Sequence, residues 1–273
     1  MIHTDRHLHR RTVLGSIAGS TVLPLAGCTG APDGQGESDG AIRDVTVSEM
    51  QLVVTLREDA SVDGLTVIQP DGSEFATRSV AAGVTRETID LGMPYSPGEY
   101  EVHAIADEET VDEASLDIRP DVRITDLKLG RNHPDEMYEG ASDQAIRSEA
   151  IVTVENHGTG PDAVTQLRFE GDVPQPTPND FEESGIYDTE SGLHEHREKA
   201  LITVDEEENI FSFTQPFGSS GSNISCGPET VEGRFSVKIL TELSKDSHRK
   251  SYNVEYTGEG FPSCNVRISE VEP

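Results

Sequence analysis

The sequence predicts an all-β protein: two tandem β-sandwiches behind an export signal and a short tether. Three observations predict it. Apolar residues recur at every second position in short runs, turn residues interrupt those runs at close intervals, and helical periodicity is almost absent.

The first element, residues 1–27, reads as a signal. Arg10 and Arg11 stand directly before the uncharged run 12–27 (TVLGSIAGSTVLPLAG), behind a short segment containing Arg6, His3, His7 and His9. That is a charged region, an apolar region and a small-residue exit in order. The run is shorter than the ~20 residues a helix needs to cross a hydrocarbon core, and Ser16, Ser20 and Pro24 dilute it, so a signal fits better than a membrane anchor. The arginine pair marks twin-arginine export, which implies folding at least in part before translocation. Leu25-Ala26-Gly27-Cys28 resembles a lipobox, with cleavage before Cys28 and a lipid on its sulfur. The expected location is therefore the outer face of the cytoplasmic membrane, with the protein tethered to the lipid bilayer through Cys28.

Residues 28–40 (CTGAPDGQGESDG) hold Gly and acids and no large apolar side chain. They should form a flexible tether with a reach of roughly 20 Å.

From 41 to 119 the pattern is period two. Met50, Leu52, Val54 and Leu56 alternate with Gln51, Val53, Thr55 and Arg57; Tyr100, Val102 and Ala104 alternate with Glu101 and His103; Ala114, Leu116 and Ile118 alternate with Ser115 and Asp117. Turn signals fall at Asp63-Gly64, Pro70-Asp71-Gly72 and Ser96-Pro97-Gly98. About seven short strands at this spacing make an immunoglobulin-like β-sandwich, with Tyr100 placed to serve as a corner tyrosine.

Arg119-Pro120-Asp121 is a short junction, and residues 121–273 form a second all-β region. It contains 150–160 (AIVTVENHGTG) followed by an apolar run at 164–169, then strands at 201–204, 210–213, 235–240, 252–256 and 264–268. Cys264, Val266 and Ile268 share one face, so the Cys264 sulfur should point inward at the end of the last strand. The stretch 173–199 shows no clear pattern. So short a junction should hold the two sandwiches within a limited range of angles.

The strand, Asn-x-Gly turn, strand pattern over 150–169 resembles CARDB-like immunoglobulin-type domains, a likeness covering roughly residues 122–172. Together with the twin-arginine lipobox and the acidic composition, the chain resembles uncharacterised haloarchaeal surface lipoproteins. That resemblance implies a compartment and an architecture and implies no activity.

Charge narrows the partners. The net charge is −30, and removing residues 1–27 takes Arg6, Arg10, Arg11 and Asp5 away, giving −32. Self-repulsion on this scale opposes compactness in dilute buffer and is screened in concentrated salt, which suits a protein working in brine. A surface this negative has no basic patch for phosphate backbones, which excludes nucleic acid. With Cys28 lipidated, Cys226 and Cys264 remain, and outside the cell an even pair reads as a disulfide contributing roughly 4 kcal/mol.

Candidate chemistry is sparse. His194-Glu195-His196 has the spacing to offer two imidazoles from one strand face to a metal such as Zn²⁺, with a third ligand from His133, His157, His248 or a carboxylate; the plain alternative is a solvated loop. Asp205-Glu206-Glu207-Glu208-Asn209 clusters oxygens that suit Ca²⁺ but lacks the spaced ligands of an EF-hand loop, so an acidic hairpin turn is the default. Asn223-Ile224-Ser225 is the single Asn-x-Ser/Thr acceptor, making Asn223 the candidate glycosylation site. No Gly-x-Ser-x-Gly elbow, His-Glu-x-x-His or phosphate loop occurs, and no motif implies a cofactor. Blue-copper chemistry fails because neither Cys226 nor Cys264 is followed closely by the His and Met that such a site requires. Stacking on sugars is poorly served: the chain has no Trp, and Tyr100, Tyr252 and Tyr256 sit in apolar strand registers. The expectation is a non-enzymatic, lipid-anchored extracellular module that contacts another envelope protein through loops and strand edges. The alternative is a ligand- or metal-capturing surface module.

Overall fold

Alternation at period two places one face of each strand in a core, and the computed structural model, which describes residues 40–191, 193–219, 224–244, 247–260 and 263–271, shows where those faces go. Seven strands form the first sandwich: β1 (Ile42–Ser48), β2 (Gln51–Leu56), β3 (Gly64–Ile68), β4 (Glu74–Ser79), β5 (Arg86–Asp90), β6 (Gly98–Ala106) and β7 (Glu109–Ile118). They pair antiparallel in two sheets ordered β1-β2-β5 and β4-β3-β6-β7. Leu52, Val54, Leu65, Val67, Tyr100, Val102 and Ala104 fill the space between the sheets. The Tyr100 hydroxyl donates to the Ser96 carbonyl at 3.0 Å, the expected tyrosine corner.

The second sandwich repeats this order. Its strands are β8 (Val122–Leu129), β9 (Ala150–Asn156), β10 (Asp162–Gly171), β11 (Ala200–Ile202), β12 (Glu207–Phe211), β13 (Val231–Thr241), β14 (His248–Thr257) and β15 (Asn265–Glu270). One sheet runs β12-β9-β8 and the other β11-β10-β13-β14-β15. Adding seven to each strand of the first sandwich reproduces the second, with β15 appended beyond β14. The Asn-x-Gly turn between β9 and β10 therefore crosses from one sheet to the other and does not close a hairpin. A short helix, α1 (Asp143–Ser148), begins at Ser142, whose hydroxyl accepts the Ala145 amide. Among the described residues no helix is long and apolar enough to cross a membrane.

Cys226 and Cys264 form the expected disulfide, their Cα atoms 5.9 Å apart. It joins the segment before β13 to the residue immediately before β15, so the sulfur of Cys264 lies at the start of the last strand. Arg131 and Asn132 hold the same strand from the other side: the Arg131 guanidinium donates to the Cys264 carbonyl at 2.9 Å and the Asn132 amide to the Val266 carbonyl at 3.0 Å. These two carbonyls lie on the edge of β15 that faces away from β14, so the start of that edge is already occupied.

The two sandwiches belong to one compact unit, Gly40–Pro273. Its knot is Asn156, fully buried, whose side chain is satisfied on both atoms. The Nδ2 donates to the carbonyls of Gly160 (2.9 Å) and Ile202 (3.2 Å), and the Oδ1 accepts the amides of Asp121 (3.1 Å) and Gly158 (3.0 Å). The junction strand passes so close to Gly158 that a Cβ there would lie 2.3 Å from the Arg119 carbonyl oxygen. From the first sandwich, Tyr95 donates to the Pro161 carbonyl at 2.8 Å, and Leu243 of the second packs against the first core.

Candidate functional site: an aromatic and histidine surface

Strand alternation places Ile210 and Ser212 inward and leaves Phe211 and Phe213 on the outer face, where solvated side chains normally stand. The otherwise patternless stretch before β11 folds back onto this edge. Tyr187 donates its amide to the Phe211 carbonyl, Phe213 to that of Gly185, and Arg197 to that of Ile186. Isolated bridges join Ile186 to Ser212 and Tyr187 to His196. A narrow ribbon results, with Ile186 buried and Tyr187 facing out beside the phenylalanines.

The rings on this outer face touch in series. Tyr138 stacks on Tyr187 with centroids 4.0 Å apart and planes 16° apart, and meets Phe211 edge-on at 5.3 Å. His194 lies on Phe213 at 4.6 Å and beside Tyr187 at 5.5 Å. His196 is 3.7 Å from the same Phe213 ring. All these rings are partly or largely exposed, and Leu193, next to His194, is 69% exposed. The segment 194–196 is not a strand but a bend followed by an isolated bridge, and each imidazole packs on the Phe213 ring. His196 Nε2 also meets the Glu183 carboxylate at 2.5 Å. Among the described residues no group of three His, Cys, Asp or Glu stands ready to hold a metal.

Beneath the stack lies Glu149, 1% exposed, where α1 runs into β9. One carboxyl oxygen accepts the Tyr138 hydroxyl at 3.2 Å, and the other is buried with no partner. Burial pushes this carboxyl up to about 7, the Tyr138 hydrogen bond opposing the shift only in part. The Tyr138 phenol is itself pushed up by burial and then by the Glu149 charge, so it remains a donor. Tyr138 thus joins the surface rings to one buried acid.

The 205–209 turn is not a cation cluster. Glu206 accepts the Thr203 amide and hydroxyl at 2.9 and 2.8 Å, Glu208 pairs with Arg197 at 2.7 Å, and Asn209 accepts the Thr153 hydroxyl at 2.8 Å. Residues 207–209 belong to β12, so successive side chains diverge to opposite faces. Of the proposed third ligands, His133 pairs with Glu136 and His157 with Glu155, both away from the pair at 194 and 196. Arg10, Arg11, Cys28 and Asn223 lie outside the described residues. The aromatic face was legible in part: Phe211 and Phe213 sit two apart and opposite Ile210, a second apolar face on one strand. Tyr138 and Tyr187 had no such local signal, because distant segments bring them there.

No family model matches the chain, and no curated protein matches it. Among solved structures it is similar to a glycosyl hydrolase family 2 member from Bacteroides cellulosilyticus, at 13% identity and TM-score 0.22, covering 74% of this chain and 24% of that one. It is also similar to a two-domain fibronectin type-III segment of chicken tenascin, at 13% identity and TM-score 0.27, covering 85% and 98%. A β-glycosidase from Bacteroides vulgatus follows at 12% identity and TM-score 0.21, covering 81% and 22%. This chain spans about a quarter or less of the two hydrolases. The sandwich class is read from the sheets themselves.

Proposed function

We propose that the chain is a lipid-anchored extracellular module, tethered to the outer face of the cytoplasmic membrane through Cys28, that binds another envelope protein and performs no catalysis. The observation that supports this reading best is the partly exposed stack of Tyr138, Tyr187, His194 and Phe213 with Leu193 beside it. Broad rings of low conformational entropy are what protein interfaces use as anchors. Around them Glu182, Glu183, Glu190 and Glu195 are exposed, so the partner that fits carries an apolar knob ringed by Lys and Arg. The tether joins the first sandwich, so the face sits on the sandwich farther along the chain, with the Asn156 knot between.

The test is photo-cross-linking in intact cells at native salinity, with a photoreactive residue in place of Leu193 or, as comparison, of Val111, which is 51% exposed on the first sandwich. One reproducible protein adduct from position 193 alone, lost in a Phe213→Ala background and mapping to a basic-rimmed apolar surface, is expected. Equal adducts from both positions would sink the reading. Lipid labelling of wild type and Cys28→Ser tests the anchor separately; label in both, or in neither, removes it.

A further inference from the structure

Glu149 is buried at the foot of the aromatic face. One oxygen accepts the Tyr138 hydroxyl at 3.2 Å; the other has no partner, and among the described residues no cation pairs with this carboxyl. Charged side chains on the surrounding elements are directed elsewhere. Arg131, on the turn after β8, donates to the carbonyls of Arg147, Phe217 and Cys264. Glu136 meets Lys128 and His133, and Glu208 of β12 meets Arg197. Asp135, Glu139, Asp143 and Arg147 are exposed, and His194 and His196 pack on Phe213.

Tyr138 covers this acid, and side-chain contacts hold it there without sheet pairing. Its segment, residues 137–142, runs between a single 3-10 turn (Pro134–Glu136) and α1 and belongs to neither sheet. The ring rests on its stack against Tyr187, its edge contact with Phe211 and the hydroxyl bond to Glu149. Met137 adds a contact with the Cα of Gly130, where a Cβ would lie 2.7 Å from the Met137 sulfur. Opening this segment admits water to both carboxyl oxygens and unstacks one ring from the face.

Charge on the carboxyl shifts the balance between the closed and open states. Closed, the group sits near 7 because burial penalises its charge, and the Tyr138 hydrogen bond offsets that only in part. Open, water returns it toward its ordinary 4.5, so the closed state has full support below about 4.5 and loses it as pH rises through about 7. Linkage between those values makes opening about 70-fold easier at pH 8 than at pH 5. We propose that Glu149 is a proton-operated latch on the aromatic face: neutral, it keeps Tyr138 seated on Tyr187; charged, it favours release of residues 137–142 and breaks the stack. The latch is intramolecular, and its use as a switch on docking rests on the protein-binding reading of that face.

Hydrogen exchange of the purified mature protein at pH 5, 6, 7 and 8 in about 1 M KCl tests the latch, read as protection relative to an unstructured chain at the same pH. Protection of residues 137–142, among them the Ala141 amide bonded to the Tyr138 carbonyl, should fall about 70-fold from pH 5 to pH 8, while β6 of the first sandwich keeps its own. Glu149→Gln, which cannot be charged, should flatten the fall. Tyr138→Phe, which keeps the ring and removes the one bond favouring the charged form, should deepen it. A fall that persists in Glu149→Gln would assign the titration to His194 or His196 and overturn the latch, as would protection constant with pH or falling equally in β6. Photo-adducts from position 193 at pH 6 and pH 8 test the switch separately. Equal yields with the segment opened would overturn it, and no adduct at either pH would remove docking and the switch together while exchange still decides the latch.

Discussion

Replacing Glu149 by Gln should change the sign of a stability difference with pH. In the folded protein this carboxyl sits near 7, against an ordinary value of 4.5, because burial penalises its charge and one oxygen has no partner. A carboxyl raised on folding binds more protons folded than unfolded between those values, so its contribution is full below about 4.5 and is lost as pH rises through about 7. At pH 8 the buried charge costs about 3 kcal/mol. Gln keeps an acceptor for the Tyr138 hydroxyl and carries no charge, but it leaves an amide NH₂ unpaired at about 1–2 kcal/mol. The variant should therefore be more stable than wild type by about 1–2 kcal/mol at pH 8 and less stable by up to about 1 kcal/mol at pH 5. Urea unfolding of both proteins at pH 5, 6, 7 and 8 in matched molar salt measures it. A difference that stays constant across that range, or that moves against the variant as pH rises, would refute the reasoning.

Removing the disulfide as Cys226→Ser/Cys264→Ser should lower stability by about 4 kcal/mol, from a sequence separation of 38; equilibrium unfolding, with thiol counting on wild type as control, checks it. Asn156→Ala deletes four hydrogen bonds from a fully buried side chain and should cost about 3–4 kcal/mol, read as loss of the folded fraction in a thermal melt. Arg131→Met keeps the apolar stem but frees the carbonyls of Arg147, Phe217 and Cys264; hydrogen exchange should accelerate at the start of β15 more than in the first sandwich. Dialysis against Zn²⁺ should leave less than one equivalent bound, and His194→Ala/His196→Ala should not alter that figure; stoichiometric, histidine-dependent zinc would restore the metal reading.

The tyrosine corner at Tyr100 and the inward Val102 and Ala104 were legible because strand alternation is local: a side chain's face depends on its neighbours along the strand. The Asn-x-Gly signal at 156–158 was legible as a turn and illegible as a knot. Its four partners at 121, 158, 160 and 202 converge only when the two sheets close. The histidine pair shows the same division. Spacing raised a shared strand face for His194 and His196, but the segment is no strand, and their packing on the Phe213 ring depends on how 185–187 docks beside β12.

By itself the sequence determined the all-β class, the seven-strand rhythm of residues 41–119, a chain of strong negative charge, and the cysteine pair left once Cys28 is set aside. Each follows from composition or from period-two alternation, which needs no distant contact. Only the tertiary structure decided that the second sandwich repeats the strand order of the first. It alone gathered Tyr138, Tyr187 and Phe213 over a buried Glu149. These are juxtapositions across tens of residues, fixed by sheet pairing and core closure, and no local pattern in the chain encodes them.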